Sequence, residues 1–178
     1  RTGRLTGIEI QEELCETARQ NVKENGCAAD VEILNGDIRN VSDLFEPGSF
    51  DAVVSNPPYR RLSDGRINPS PSKAIARHEI HCTLQELVEA SSYLLQPKGR
   101  LFLIYHPYRF SELIRTLSEK KLEPKRVQFV HPKPEAQSSM VLVEAVQNGK
   151  PDLNVLSPFF IRDQNGRYTP EMENGYSN

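Results

Sequence analysis

One stretch constrains the fold more than any other: Phe50-Asp51-Ala52-Val53-Val54-Ser55-Asn56-Pro57-Pro58-Tyr59. The short apolar run around Val53 and Val54 predicts a buried strand. It must stop at Asn56, because two successive prolines donate no ladder hydrogen bonds and each restricts the residue before it. An amide, a rigid carbonyl-bearing turn and an aromatic ring are thus delivered together at the C-terminal end of a strand. In open α/β sheets that edge is where ligands bind.

Each residue type there has a chemical use. The Asn56 side-chain oxygen and the Pro57 carbonyl can accept both protons of one planar –NH2 group. Held that way, the nitrogen lone pair is turned out of conjugation and aimed at an electrophile, a matter of positioning and fixed dipoles. Tyr59 offers a flat face for a heteroaromatic ring. An Asn-Pro turn closing an ordinary strand would use the same first two residues. The four residues Asn56 to Tyr59 resemble the Asn-Pro-Pro-Tyr motif of S-adenosylmethionine-dependent methyltransferases acting on planar amines. Their substrates include adenine, guanine and the glutamine of release factors.

At 178 residues the chain is long enough for a single domain with a real core, and 1–178 is read as one catalytic domain. No apolar run approaches the roughly 20 residues of a membrane span, and no signal peptide opens the chain. Cys15, Cys27 and Cys82 form no Cys-x-x-Cys pair, which suits a reducing cytoplasm and argues against thiolate zinc. His78 and His81 lack the His-Glu-x-x-His spacing, so no metal is assigned. With a net charge of −2, any attraction for nucleic acid must come from a local basic patch.

Upstream, Arg4 to Ile10 alternates like a strand and ends at Glu9. A helix follows from Gln11 to Asn25, with Leu14, Ala18 and Val22 at helical spacing. An acid at such a strand tip commonly holds ribose hydroxyls, although a Glu ahead of a helix also suits the helix dipole. Val31 to Leu34 predicts the next strand, and Asn35-Gly36-Asp37-Ile38 a turn that an Asx motif would make with or without a ligand. Arg60 to Lys73 is rich in Gly, Pro, Ser and Asn and carries Arg60, Arg61, Arg66 and Lys73, either as a basic flap or as a solvated loop. Ala76-Arg77-His78-Glu79 starts a predicted helix running to Gln96. Arg100–Tyr105 is a predicted buried strand and Phe110, Leu113, Ile114 and Leu117 mark a further helix. Val127–Val130 and Met140–Ala145 form a predicted antiparallel pair, and the end holds a strand, the Asp163-Gln164-Asn165-Gly166 turn and a frayed terminus.

Several later segments narrow the resemblance: Ala76-Arg77-His78-Glu79, Val130-His131-Pro132-Lys133-Pro134, Val141-Leu142-Val143-Glu144-Ala145, and Gly166-Arg167-Tyr168-Thr169-Pro170-Glu171 with Tyr176 beyond. In this order, with Asn56 to Tyr59, they resemble the bacterial tRNA1(Val) adenine-N6 methyltransferase family, which methylates the adenosine 3′ of the anticodon. The resemblance implies an α/β, Rossmann-like class I methyltransferase: a three-layer sandwich around a mostly parallel seven-stranded sheet with an antiparallel last strand. It implies S-adenosyl-L-methionine as cofactor, with Glu9 and Ile10 at the ribose and Asp37 and Ile38 at the adenine. Asn56 would border the cofactor, and Asn56, Pro57, Pro58 and Tyr59 would form the catalytic set. A tRNA substrate, a monomer in the cytoplasm, and no membrane or metal complete the expectation. From charge and position, Arg60, Arg61, Arg66, Lys73, Arg77 and Lys133 are placed on RNA. Two alternatives stay open: a protein glutamine methyltransferase for release factors, and a non-catalytic RNA- or partner-binding domain.

One departure stands out. The usual strand order of such folds is 3-2-1-4-5-7-6, and its first strand leads through a Gly-rich loop to the cofactor's methionine end. No such loop precedes Gly7, so the first strand and its loop are expected in a segment ahead of Arg1, which leaves a gap at the centre of this chain's sheet.

Overall fold

A computed structural model of the chain describes residues 3–57 and 82–175. These fall into two compact units, one of residues 3–46 and 82–90, the other of 47–57 and 91–175.

In the first unit, strands β1 (Leu5–Glu9) and β2 (Val31–Asn35) pair in parallel with Glu9 opposite Asn35. Helix α1 (Glu12–Glu24) makes the crossover between them, as parallel neighbours require. Its inward face departs from the expected one at Leu14 alone: Cys15, next to it in the sequence, is fully buried, Ala18 and Val22 are half-buried, and Leu14 is 49% exposed. A small thiol, rather than the larger leucine, fits against the two short strands. Asn25 and Gly26 end the helix, Gly26 at a φ of +69°. After β2, a 3-10 segment (Ile38–Asp43) follows with Asp37 as its N-cap.

Helix α2 (Leu84–Leu94) begins later than the Ala76 start predicted from the sequence. Cys82 and Thr83 are not helical, and Thr83 with Glu86 forms a capping box. The Glu86 Oε2 atom accepts the Thr83 backbone N–H at 2.7 Å, and the Thr83 Oγ1 atom accepts the Glu86 N–H at 3.2 Å. Residues 76–81 lie outside the described residues.

In the second unit, β3 (Phe50–Ser55), β4 (Leu95–Tyr105), β5 (Leu122–His131) and β6 (Met140–Gln147) form one sheet in the order β3-β4-β6-β5. β3 runs parallel to β4, while β6 lies between β4 and β5 and is antiparallel to both. With β1 and β2 as the second and third strands of the expected order, β3 to β6 reproduce its 4-5-7-6 half, antiparallel strand included. The expected antiparallel pair is present. Two short strands, β7 (Asn154–Val155) and β8 (Phe159–Phe160), extend the β5 edge in parallel. The strand order thus appears in two sheets, with β1 and β3 each at the end of its own.

That placement corrects the buried-strand reading of Phe50–Ser55. β3 is an edge strand among the described residues, and Val54 is 78% exposed. Helix α3 (Phe110–Glu119) packs Leu113 and Leu117, both fully buried, onto β5, and the Phe110 ring meets Phe129 edge-on at 5.4 Å. Leu101, Leu103, Tyr105, Val127, Val141 and Val143 fill this core, each 3% exposed or less. Up to Gly175 the C-terminal segment is more ordered than the predicted frayed end; residues 176–178, Tyr176 among them, lie outside the described residues. Asp163 Oδ1 accepts the N–H groups of Asn165 and Arg167, and Thr169 caps a short helix α4 (Pro170–Asn174).

Across the larger sheet runs one buried ionic cluster. The Glu144 side chain on β6 is 8% exposed and is held by Arg100 of β4 at 3.0 Å and by Arg126 of β5. A carboxylate buried to that degree survives only with such partners.

Candidate active site

In the first unit, the C-terminal rim of the parallel pair collects the residues expected at the cofactor's nucleoside. Glu9 ends β1, and its Oε1 atom accepts the Gln11 N–H at 2.8 Å, closing the entry to α1. The strand ends are stapled together: Asn35 Nδ2 donates to the carbonyl oxygens of Glu9 at 3.0 Å and Ile10 at 3.2 Å, and Gly36 N donates to Glu9 O at 3.0 Å. A Cβ at Gly36 would stand 2.8 Å from Leu44 Cδ1, so glycine lets the loop pass close. Ile10 and Ile38 are half-buried.

Asp37 makes the Asx turn considered from the sequence. Its Oδ1 atom accepts the Arg39 N–H at 2.9 Å, and the carboxylate also holds the Arg39 guanidinium, with Nε 2.8 Å from Oδ2. The side-chain hydrogen bond to Arg39 holds the Asp37 carboxyl below the usual carboxylate range and raises Arg39 in turn. Cys82 lies in the same electrostatic neighbourhood. Burial first, then Glu86 and Asp37, push its thiol up to about 11, so it stays protonated at neutral pH.

This donor set fits a nucleoside. Glu9 retains acceptor capacity for ribose hydroxyls, since only Oε1 is given to Gln11. Ile10 and Ile38 offer apolar surface to a ring. Asp37 carries about four acceptor positions, and Arg39 engages both oxygens through its backbone N, Nε and Nη2, so an amino group at this carboxylate competes with the Arg39 guanidinium.

In the second unit, Asn56 and Pro57 leave the C-terminal end of β3 as predicted, with Asn56 exposed and Pro57 half-buried. The amide does not sink into packed interior. Because Ser55 stands opposite Leu103 in the parallel ladder, Asn56 and Pro57 emerge beside the last residues of β4. β5 is parallel to β4, both being antiparallel to β6, so its end at His131 reaches the same rim. There His131 Nδ1 donates to Ala136 O at 2.8 Å and its ring lies 5.5 Å from Phe160, which orders the loop carrying exposed Lys133. Pro58, Tyr59, Arg60, Arg61, Arg66, Lys73 and Arg77 lie outside the described residues. Sequence reasoning passed over the role of Asn35, which arises from pairing with residues about 25 positions away, and over Arg39, whose partner Asp37 lies only two residues before it. It also passed over Thr83-Leu84-Gln85-Glu86, whose capping-box pattern was readable.

Comparison with known proteins agrees with this fold. A family model described as a methyltransferase domain matches residues 1–68. A solved structure from Agrobacterium tumefaciens, described as a predicted O-methyltransferase, superposes with a TM-score of 0.74 over 95% of this chain and 74% of that one, at 20% identity. TrmN from Thermus thermophilus superposes with a TM-score of 0.57 over 83% of this chain and 37% of that one, at 17% identity. The fold and the matched domain are those of an S-adenosylmethionine-dependent methyltransferase of the Rossmann-like class.

The sequence relatives are more specific. A tRNA1(Val) (adenine(37)-N6)-methyltransferase from Porphyromonas gingivalis is 32% identical over 176 residues, 94% of this chain and 67% of that protein. The protein of the same name from a Shewanella species is 25% identical over 94% of this chain and 71% of its own length. The chain belongs to the tRNA1(Val) (adenine(37)-N6)-methyltransferase family, and it spans about two thirds of the length of these relatives.

Proposed function

We propose that this protein transfers a methyl group from S-adenosylmethionine to the exocyclic N6 of an adenine in RNA, the adenosine 3′ of the anticodon in valine tRNA. The observation that carries the reading is the Asn56-Pro57 pair at the C-terminal end of β3, its amide residue exposed, in a chain of this family.

The Asn56 side-chain oxygen and the Pro57 carbonyl accept hydrogen bonds from the two N6–H groups. That withdraws the nitrogen lone pair from the ring and points it along the line of transfer, a gain of orientation with no proton removed in advance. Tyr59 supports the base from one face by stacking. Glu9 and Ile10 hold the cofactor's ribose, and Asp37 and Ile38 its adenine. Bound there, the cofactor supplies an electrophilic methyl group on a sulfonium. The methylated nitrogen then gives up its proton to water, so the reaction calls for neither a metal nor a general base. An adenosine in an anticodon loop is unpaired, which lowers the cost of turning it out. Lys133 and the arginines of the 60–77 stretch meet the RNA backbone. One chain serves one tRNA, and the work lies in the cytoplasm.

The deciding experiment incubates the intact protein with labelled S-adenosylmethionine and either total tRNA or release factor. Label in N6-methyladenosine from digested tRNA is the expected result. Label confined to protein glutamine would overturn the proposal.

A further inference from the structure

Beyond Asn56 and Pro57 at the end of β3, the same unit holds a groove lined by Tyr108, two arginines and two glutamates, with no assigned role. β4 ends at Tyr105 and the chain continues as His106-Pro107-Tyr108-Arg109 into α3. This turn leaves the sheet on the strand hydrogen-bonded to β3, about 4.8 Å away, just past the level at which Asn56 and Pro57 leave.

Tyr108 is 67% exposed, a high value for a tyrosine ordered by a ring neighbour: His106 lies 5.2 Å away with its plane tilted by 31°. Pro107 and the first turn of α3 fix the backbone beneath the ring, so it is presented at low entropic cost. Tyr108 forms one end of an open groove of about 670 Å³ that continues along α3 past Glu112 to Arg115 and Glu119.

Two arginines line this groove, and they are not equivalent. Arg109 is committed: its guanidinium pairs with Glu112 at 2.8 and 2.9 Å and lies 5.3 Å over the buried Tyr105 ring. Arg115 is exposed and makes no ion pair or side-chain hydrogen bond among the described residues. The groove therefore offers one flat aromatic face and, about two helical turns away, one uncommitted cation. A ring for a base and a cation for a phosphate are the two elements by which proteins grip single-stranded RNA.

We infer that Tyr108 and Arg115 hold a nucleotide flanking the target adenosine, its base stacked on Tyr108 and its backbone phosphate met by Arg115. Asn56 and Pro57 receive the reacting amine, while Tyr108 fixes the neighbouring nucleotide and so sets which adenosine of the loop arrives. Tyr108 is a binding residue for RNA, not a participant in methyl transfer. The inference rests on the RNA reading proposed above.

The test uses the intact protein and an unmodified anticodon stem-loop RNA, with Tyr108→Ala, Tyr108→Phe and Arg115→Gln. Tyr108→Ala should raise KM for the RNA about ten- to a hundredfold, the loss of one stacked base, with cofactor affinity and thermal midpoint unchanged. Tyr108→Phe should stay near wild type. Arg115→Gln should flatten the dependence of log K on log salt by about 0.7, one phosphate contact to a single strand. An RNA KM for Tyr108→Ala within twofold of an active wild type would overturn the inference and leave the RNA reading intact, and so would equal losses of RNA and cofactor binding. A wild type that methylates protein but not this RNA would overturn both.

Discussion

Asn35 reaches across from the end of β2 to hold the backbone of Glu9, its side-chain amide donating to the carbonyls of both Glu9 and Ile10. The two strand ends of the first unit are therefore tied by a side chain as well as by the ladder. Glu9 owes its station to that tie.

Asn35→Ala removes both donations while leaving β2 its full ladder. At about 1 kcal/mol per hydrogen bond, less where water can replace them, the expected effect is a three- to tenfold weaker affinity for S-adenosylmethionine. KM for RNA should stay within twofold. Isothermal titration with the cofactor and steady-state kinetics on tRNA measure the two numbers.

On the proposed reading, Asn56→Ala deletes the acceptor that faces the amine. Turnover should fall by about two to three orders of magnitude, the usual scale for losing one preorganised polar group at a reacting centre. Cofactor affinity should move less than threefold. Parallel falls in both would mean that Asn56 serves the cofactor rather than the substrate.

Glu144→Ala breaks the ionic cluster that ties β4, β6 and β5. The carboxylate is buried, but Arg100 and Arg126 are 56% and 52% exposed and can turn to water. The cost should therefore fall short of the 3–5 kcal/mol typical of a wholly buried pair, at about 2 kcal/mol. For a chain of this size that lowers the thermal midpoint by roughly 4–8 °C. Calorimetry of the variant gives the answer.

The Asp37–Arg39 pair makes part of the stability acid-sensitive. Because the folded-state pKa of Asp37 lies below its unfolded value, this contribution is complete above roughly pH 4 and is lost as pH falls through the lower folded value. Arg39→Gln should return the Asp37 titration midpoint toward the ordinary carboxylate range. Carboxyl-carbon NMR chemical shifts followed from pH 6 to pH 2 report it directly.

How far the chain could be read in advance depended on whether a signal was local. Asn56-Pro57 announced a strand end because proline chemistry acts within two residues, and the end falls there. The antiparallel pair of β5 and β6 showed in dense apolar runs. Val54 was misjudged because an apolar pattern records what a strand could bury, while the elements packed on the sheet face decide what it does bury, and among the described residues Val54 stands 78% exposed on an edge strand. Leu14 lost its place to Cys15 for a similar reason, since spacing marks a helix face only to within one residue. The early start predicted for α2 passed over Thr83 and Glu86, and the frayed terminus passed over Thr169-Pro170, both local capping signals that outweigh an apolar stripe. At the site, Glu9 and Asp37 were visible as acids after strands. The tie from Asn35 was not, because it depends on where distant backbone comes to rest; Gln11 and Arg39 each engage an acid only two residues away, in turns whose side-chain geometry no apolar pattern records.

The reversed direction of β6 has a consequence for how such enzymes change what they read. β4 and β5 discharge onto one face without touching each other, held two ladder spacings apart, about 10 Å, by a strand that contributes its other end. That interval works as a fixed gauge between the turn bearing Tyr108 and the loop bearing Lys133. Rewriting either loop changes the tool mounted on its post and leaves the span between posts alone, so a lineage can trade one folded RNA for another without rebuilding the frame.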